Sequence, residues 1–184
     1  MDIVSHGLWA GAAYKAINLK REKALNVWLA AAWGVFPDLF AFTVPFLWLF
    51  WHLFLGDFNL SDLPRPHEVE PVKPDTLPIF QLASMLYNFS HSVIVFLLVF
   101  GVMYIILRRP VWEMGGWLLH IIMDIPTHTY QFFPTPFLWP ISGREFSGFS
   151  WATPWFLILN YSTLLIAYIL LRKRPFRKYI LRET

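Results

Sequence analysis

Five stretches of the chain are almost wholly apolar, and charged or proline-rich breaks separate them. The first, residues 3–19, ends at Lys20, Arg21 and Lys23. Its small residues (Gly7, Ala10, Gly11, Ala12, Ala13) suit it to close contact between helices in a membrane bundle. Residues 24–55 follow, 32 positions in which only Asp38 and His52 are ionisable. A straight helix of that length would span about 48 Å, well beyond a hydrocarbon core of roughly 30 Å. Pro37 and Pro45 offer places to break it. The pattern therefore predicts a spanning helix kinked near Pro37, with the aromatic stretch around Phe46, Trp48, Phe50 and Trp51 near the interface.

Residues 79–107 run for 29 positions without Asp, Glu, Lys or Arg and stop at Arg108 and Arg109, the clearest spanning pattern in the chain. Residues 111–125 make a shorter helical stretch that carries Glu113, His120 and Asp124 and meets Pro126. The last span, 154–171, has no charged side chain and is followed by Arg172, Lys173, Arg174, Arg177 and Lys178. Between these lie two polar loops, the proline-rich 56–78 and the aromatic 127–153. An N-out, C-in arrangement of five spans puts every basic cluster on the cytoplasmic side. The expected fold is all-α: one domain over 1–184, an integral membrane bundle of about five helices in the cell or inner membrane, with a kinked second helix and two extramembrane loops.

Composition agrees. Hydrophobic residues make up 57% and charged residues 15%, against roughly 45–50% and about 25% in soluble domains. That balance disfavours a soluble enzyme, a disordered tail or a coiled coil. A net charge of only +3 argues against a nucleic-acid partner. With no cysteine there is neither a disulfide framework nor a thiolate metal site. The first charges after the N-terminal apolar run come behind it, the reverse of a cleavable signal peptide, so that run is expected to stay in the mature protein.

An ionisable side chain within a spanning segment is costly and marks a functional site by default. His6 lies 14 residues before Lys20, Asp38 lies 15 after Lys23, His91 lies 17 before Arg108, and Asp124 lies 15 after Arg109. At 1.5 Å per residue these are depths of roughly 21–26 Å from the basic ends, with His120 one turn lower. Four helices thus deliver a His or Asp to one layer in the outer half of the bilayer. A lone membrane histidine is more often bonded to a neighbouring helix, and Asp38 beside Pro37 could serve a kink. Neither reading explains a shared depth. Two carboxylates with three or four imidazoles form a ligand set for Zn²⁺ or a similar divalent ion, which would also neutralise the buried carboxylates. His120 and Asp124, at i and i+4, share a helix face. His128 continues that stripe if Pro126 does not turn the chain away.

Taken in order, these residues resemble a family. Ser5-His6-Gly7 with Ala10 and Gly11, Pro37-Asp38, Ser90-His91-Ser92, His120 to Asp124 with Thr127-His128, and Pro140-Ile141-Ser142-Gly143-Arg144-Glu145-Phe146 follow one another over about residues 5–150. The order is similar to that of the membrane-bound metal-dependent hydrolases of the YdjM type, described as LexA-binding inner-membrane-associated hydrolases and distantly similar to zinc-dependent phospholipase C. Phe40 stands where that family often carries a second acidic residue, and Tyr87-Asn88-Phe89 where it has His-Arg-Gly.

The expected chemistry follows from the ligand set. Metal ligands are His6, Asp38, His91, His120 and Asp124, with His128 as a further candidate. They suffice for one or two ions, Zn²⁺ first and Mn²⁺ or another divalent metal next. Such an ion activates water for hydrolysis, an uncoordinated carboxylate of Asp38 or Asp124 can act as general base, and the Arg144 guanidinium can fork onto a phosphate. A site at this depth favours a membrane lipid or lipid-linked phosphoester as substrate. Two alternatives stand beside it: a metal-binding or metal-transporting protein, and a non-catalytic membrane scaffold.

Overall fold

The computed structural model describes residues 1–56, 78–130 and 133–172. These form six α-helices: α1 (Ile3–Asn18), α2 (Val27–Leu55), α3 (Pro78–Ser90), α4 (Val93–Leu107), α5 (Gly115–Thr127) and α6 (Pro154–Arg172), with a 3₁₀ turn at Trp112–Met114 leading into α5. Side chains set several of the starts. Asp2 caps α1 by accepting from the Ser5 N–H at 2.9 Å, and Asn26 caps α2 by accepting from the Leu29 N–H at 3.1 Å. Ser92 caps α4, its hydroxyl accepting from the Ile94 and Val95 N–H groups.

The count of about five spans is not supported. Among the described residues α2 and α6 are long and apolar enough to cross a membrane, and α3 with α4 makes a third only if a pair bent by 61° is one span. At 16 and 13 residues, α1 and α5 reach only about 24 and 20 Å, short of a 30 Å core. The uninterrupted helix expected over 79–107 is likewise two helices, broken at His91–Ser92 where the Ser92 cap starts α4 afresh. The second helix, expected to kink near Pro37, is one continuous helix with Pro37 and Pro45 inside it. The proline-rich loop and the basic residues after Arg172 lie outside the described residues.

The packing of α2 puts small residues inward and large apolar ones outward, as suits a helix able to cross a membrane. On α2 the buried positions are Ala30, Gly34, Pro37, Asp38, Ala41 and Pro45, a stripe of small residues and one carboxylate. Trp28, Leu47, Trp51 and Phe54 point outward. Small residues inward let backbones approach, and large apolar ones outward meet hydrocarbon. The approach is closest between α2 and α5, where a Cβ on Gly116 would lie 2.1 Å from the Ala30 carbonyl oxygen. It is close between α2 and α1 as well, where a Cβ on Gly34 would meet Ala10 at 2.8 Å. The Asn26 N–H donates to Glu113 Oε1 at 3.1 Å, so α2 and the turn into α5 start side by side.

A polar network fastens α6 to α1. Trp9 Nε1 donates to Asn160 Oδ1 at 2.8 Å, Asn160 Nδ2 donates to Ser5 Oγ at 2.7 Å, and Ser5 Oγ and Tyr161 OH both donate to the Asp2 carboxylate. Burial opposes the Asp2 charge, but the bonds from Ser5 and Tyr161 outweigh it and hold the carboxyl below its ordinary range. Asn160→Ala strands the Trp9 and Ser5 groups at once. It is expected to cost about 1–2 kcal/mol, read as a melting temperature lowered by several degrees in detergent.

Candidate metal centre

Three helices and a helix break deliver the site. His6 comes from the second turn of α1, Asp38 from the inner stripe of α2, His91 from the α3–α4 break, and His120 and Asp124 from successive turns of α5, with His128 at its C-cap. Pro126 does not turn the chain away: α5 continues to Thr127 and the His128 N–H still donates to the Asp124 carbonyl at 3.1 Å. All six are buried.

Asp38, His91, His120 and Asp124 each offer one ligand atom, and these atoms lie within 4.8 Å of one another, a group that can hold a metal ion. His120 Nε2 is 3.2 Å from Asp124 Oδ2 and 3.6 Å from Asp38 Oδ1, and His91 Nε2 is 3.4 and 3.5 Å from the same two atoms. The other oxygen of Asp124 faces a second set. His6 Nε2 lies 2.9 Å and His128 Nε2 3.4 Å from Oδ1, and the amino group of Met1 donates to that oxygen while standing 2.9 Å from His128 Nε2. The His6 ring is stacked on that of His120 with centroids 3.6 Å apart.

Hydrogen bonding at the back of each ring fixes what the front presents. His120 Nδ1 faces the Gly34 carbonyl at 2.7 Å, His91 Nδ1 the Tyr87 carbonyl at 3.2 Å, and His128 Nδ1 the Phe133 carbonyl at 2.9 Å. A carbonyl oxygen only accepts, so these contacts are donated from Nδ1 and leave Nε2 of each ring turned to the centre, with Ser90 Oγ a second neighbour of His91 Nδ1 at 2.9 Å. The His91 and His120 Nε2 atoms stand 3.0 Å apart among carboxylate oxygens. Asp38 Oδ2, Asp124 Oδ2 and both His6 nitrogens have no hydrogen-bond partner. Ring nitrogens and carboxylate oxygens crowded on one buried point fit a cation, and on the Oδ1 side of Asp124 the Met1 ammonium occupies that place. The outward Nδ1–H bonds are the orienting contacts that metal-bound histidines require.

Arg144 is not part of this group. It lies exposed on the loop after α5, with its backbone N–H donating to Ser142 Oγ at 3.2 Å, and no contact joins it to the cluster among the described residues. The motif supplied its chemistry but not its position. His52, expected at the interface, is at the far end of α2, donating to the Trp48 carbonyl at 2.9 Å. His67 lies outside the described residues. Two groups that sequence reasoning passed over support the site. Tyr87 is buried, its ring stacked on His91 at 3.7 Å and its hydroxyl donating to the Phe133 carbonyl at 3.0 Å. Gly34 gives His120 its acceptor, and the signal was its place one turn before Asp38 on the small-residue stripe.

The centre is closed on one side and open on the other. Toward the basic ends of the helices it rests on Met114, Trp117 and Ile121, with Trp117 Nε1 donating to the Ser90 carbonyl at 2.6 Å. The loop after α5 folds back over the other end, the N–H groups of Gly148, Phe149 and Trp151 donating to the carbonyls of His128, Pro126 and Thr127. Beside it a cavity of about 300 Å³ reaches Asp38 and His128, walled by Phe42, Phe46 and Trp151. Comparison with known protein families, curated proteins and solved structures finds no match to this chain.

Proposed function

We propose that the protein is a membrane-embedded metal-dependent hydrolase that cleaves a phosphoester of a lipid or lipid-linked substrate. The observation that carries this reading is the convergence of histidine Nε2 atoms and two carboxylates on one buried point beside an apolar cavity. The order of motifs that resembles the YdjM-type hydrolases points the same way. Zn²⁺ is the first choice of ion because imidazole and carboxylate donors suit it, with Mn²⁺ next. A bound ion supplies a water activated near neutral pH and a Lewis acid for a phosphoryl oxygen.

The chain's own residues do the rest. His91, His120, Asp38 and Asp124 Oδ2 would hold an ion, and His6, His128 and Asp124 Oδ1 would serve a second, with Asp124 the residue common to both sets. The Met1 amino group shares the second set and competes with an ion for it. Asp38 is the cluster carboxylate on the cavity wall, with an oxygen left unpartnered, which suits it to accept a proton from an attacking water. Phe42 and Phe46 stand at i+4 and i+8 from Asp38, on the stripe of α2 that leads to it. A substrate reaching Asp38 therefore slides along aromatic rings on a membrane-spanning helix, which favours an amphiphile entering sideways over a soluble metabolite. Transport is the weaker reading, because the apolar floor of Met114, Trp117 and Ile121 offers an ion no polar way onward.

Metal content by inductively coupled plasma mass spectrometry of the detergent-solubilised protein tests this, alongside phosphate release from phosphoester lipids. One or two equivalents of zinc or manganese, with turnover lost in His91→Ala, is expected. A wild type that stays metal-free after reconstitution with both ions would overturn the proposal, and metal without turnover on any phosphoester would leave a binding protein instead.

A further inference from the structure

Two cavities meet along the flank of α1 away from the metal centre. The larger, about 930 Å³, lies between α1 and α2 and runs from Val4 past Gly7, Gly11 and Ala32 to Lys15. The smaller, about 580 Å³, continues from Lys15 to Arg172 at the end of α6. Lys15 and Tyr168 line both. Tyr168 ties the groove together: its hydroxyl donates to the Leu8 carbonyl at 3.0 Å, and its ring centroid lies 4.8 Å from the Lys15 ammonium. Gly11 makes that crossing possible, since a Cβ there would stand 2.7 Å from the Tyr168 hydroxyl.

The result is a long apolar trough with two cations at one end. Among the described residues no carboxylate pairs with Lys15 or Arg172. From Val4 to Lys15 the trough follows α1 for about 16 Å, a length suited to a fatty acyl chain. One of its walls is α2, a helix with the length and hydropathy of a membrane span. Lys15 is nine residues beyond His6, on the side of the basic Lys20–Lys23 turn. Basic pockets between membrane helices bind anionic headgroups, and a guanidinium forks onto phosphate where an ammonium contributes a point charge. We propose that this groove binds an anionic membrane phospholipid, its phosphate between Lys15 and Arg172 and one acyl chain laid along α1 toward Val4. The inference uses none of the metal-cluster residues and stands apart from the hydrolase reading.

Native mass spectrometry of the whole chain, released from detergent with equal amounts of phosphatidylglycerol and phosphatidylcholine of matched chains, tests it. Each cation contributes on the order of fivefold, so the wild type should retain phosphatidylglycerol over phosphatidylcholine by roughly twentyfold. The double variant Lys15→Gln/Arg172→Gln should approach parity, whereas Lys15→Arg should keep the preference. Ala32→Leu, which narrows the trough, should lower retention of both lipids without changing their ratio. Parity in the wild type would overturn the proposal whatever the variants do. A preference that survives the double substitution would do the same, assigning the headgroup to other cations, as would full retention by Ala32→Leu.

Discussion

Asp124→Asn should empty the whole centre, whereas His6→Ala should empty only half of it. Both carboxylate oxygens of Asp124 are engaged, Oδ2 toward His91 and His120 and Oδ1 toward His6 and His128. Neutralising the group removes the one ligand common to both sets and one of the two carboxylates that offset a cation. Metal content is expected to fall below a tenth of an equivalent. Turnover should drop by more than a hundredfold, since even residues that merely orient ligands are worth 10- to 100-fold. His6→Ala leaves the Asp38, His91 and His120 set untouched, so a preparation holding two equivalents should keep one. Measured side by side, the pair discriminates a bridged centre from a single ion. If His6→Ala and Asp124→Asn lose the same amount, the two-set description is wrong.

The second large effect is expected at a residue with no donor atom of its own, Gly116, one turn before His120 on α5. A methyl group there would stand 2.1 Å from the Ala30 carbonyl oxygen, a contact with backbone that no rotamer change relieves. Gly116→Ala must push α5 away from α2, at a cost of about 1–3 kcal/mol or more. It should also carry His120 and Asp124 away from Asp38. The expected result is a lower melting temperature together with lost metal, even though no donor atom has been changed. A Gly116→Ala protein that melts like the wild type and keeps its metal would show that the α2–α5 contact is not what sets the spacing of the centre.

The convergence of His and Asp was legible because membrane helices expose their ends. Basic residues mark one end of each, and counting from them brings His6, Asp38, His91, His120 and Asp124 to one level. What counting could not supply was the break at His91–Ser92. Residues 79–107 contain no charge and only one glycine, Gly101, well past the break, and the interruption depends on a serine hydroxyl accepting two backbone N–H groups. Hydropathy is blind to such a cap. It also overrated α1 and α5, whose apolar character reflects burial against neighbouring helices and around the centre rather than length enough to cross hydrocarbon. The place of Arg144 was hidden for a different reason: a motif in a loop gives residue types in order, while its location depends on how the chain returns after α5, which no periodicity encodes. The acceptors behind the histidines were equally hidden, because they are backbone carbonyls of Gly34, Tyr87 and Phe133.

The side-by-side start of α2 and α5 has a consequence for how the chain can change. Ala30 meets Gly116, Gly34 meets His120, and Asp38 meets His120 one turn below Asp124. Asn26 meets Glu113 at the foot of both helices. The two helices thus work as a pair of rulers read from one zero, and the centre forms where equal distances have been paced out on each. One residue added between 26 and 38 would advance Asp38 by about 1.5 Å and swing it by about 100°, off the other ruler's mark. The same residue added in the connection between Lys20 and Ala24 would leave both rulers in register. Variation in length should therefore be confined to the connections, and the spans from 26 to 38 and from 113 to 124 should change by substitution alone.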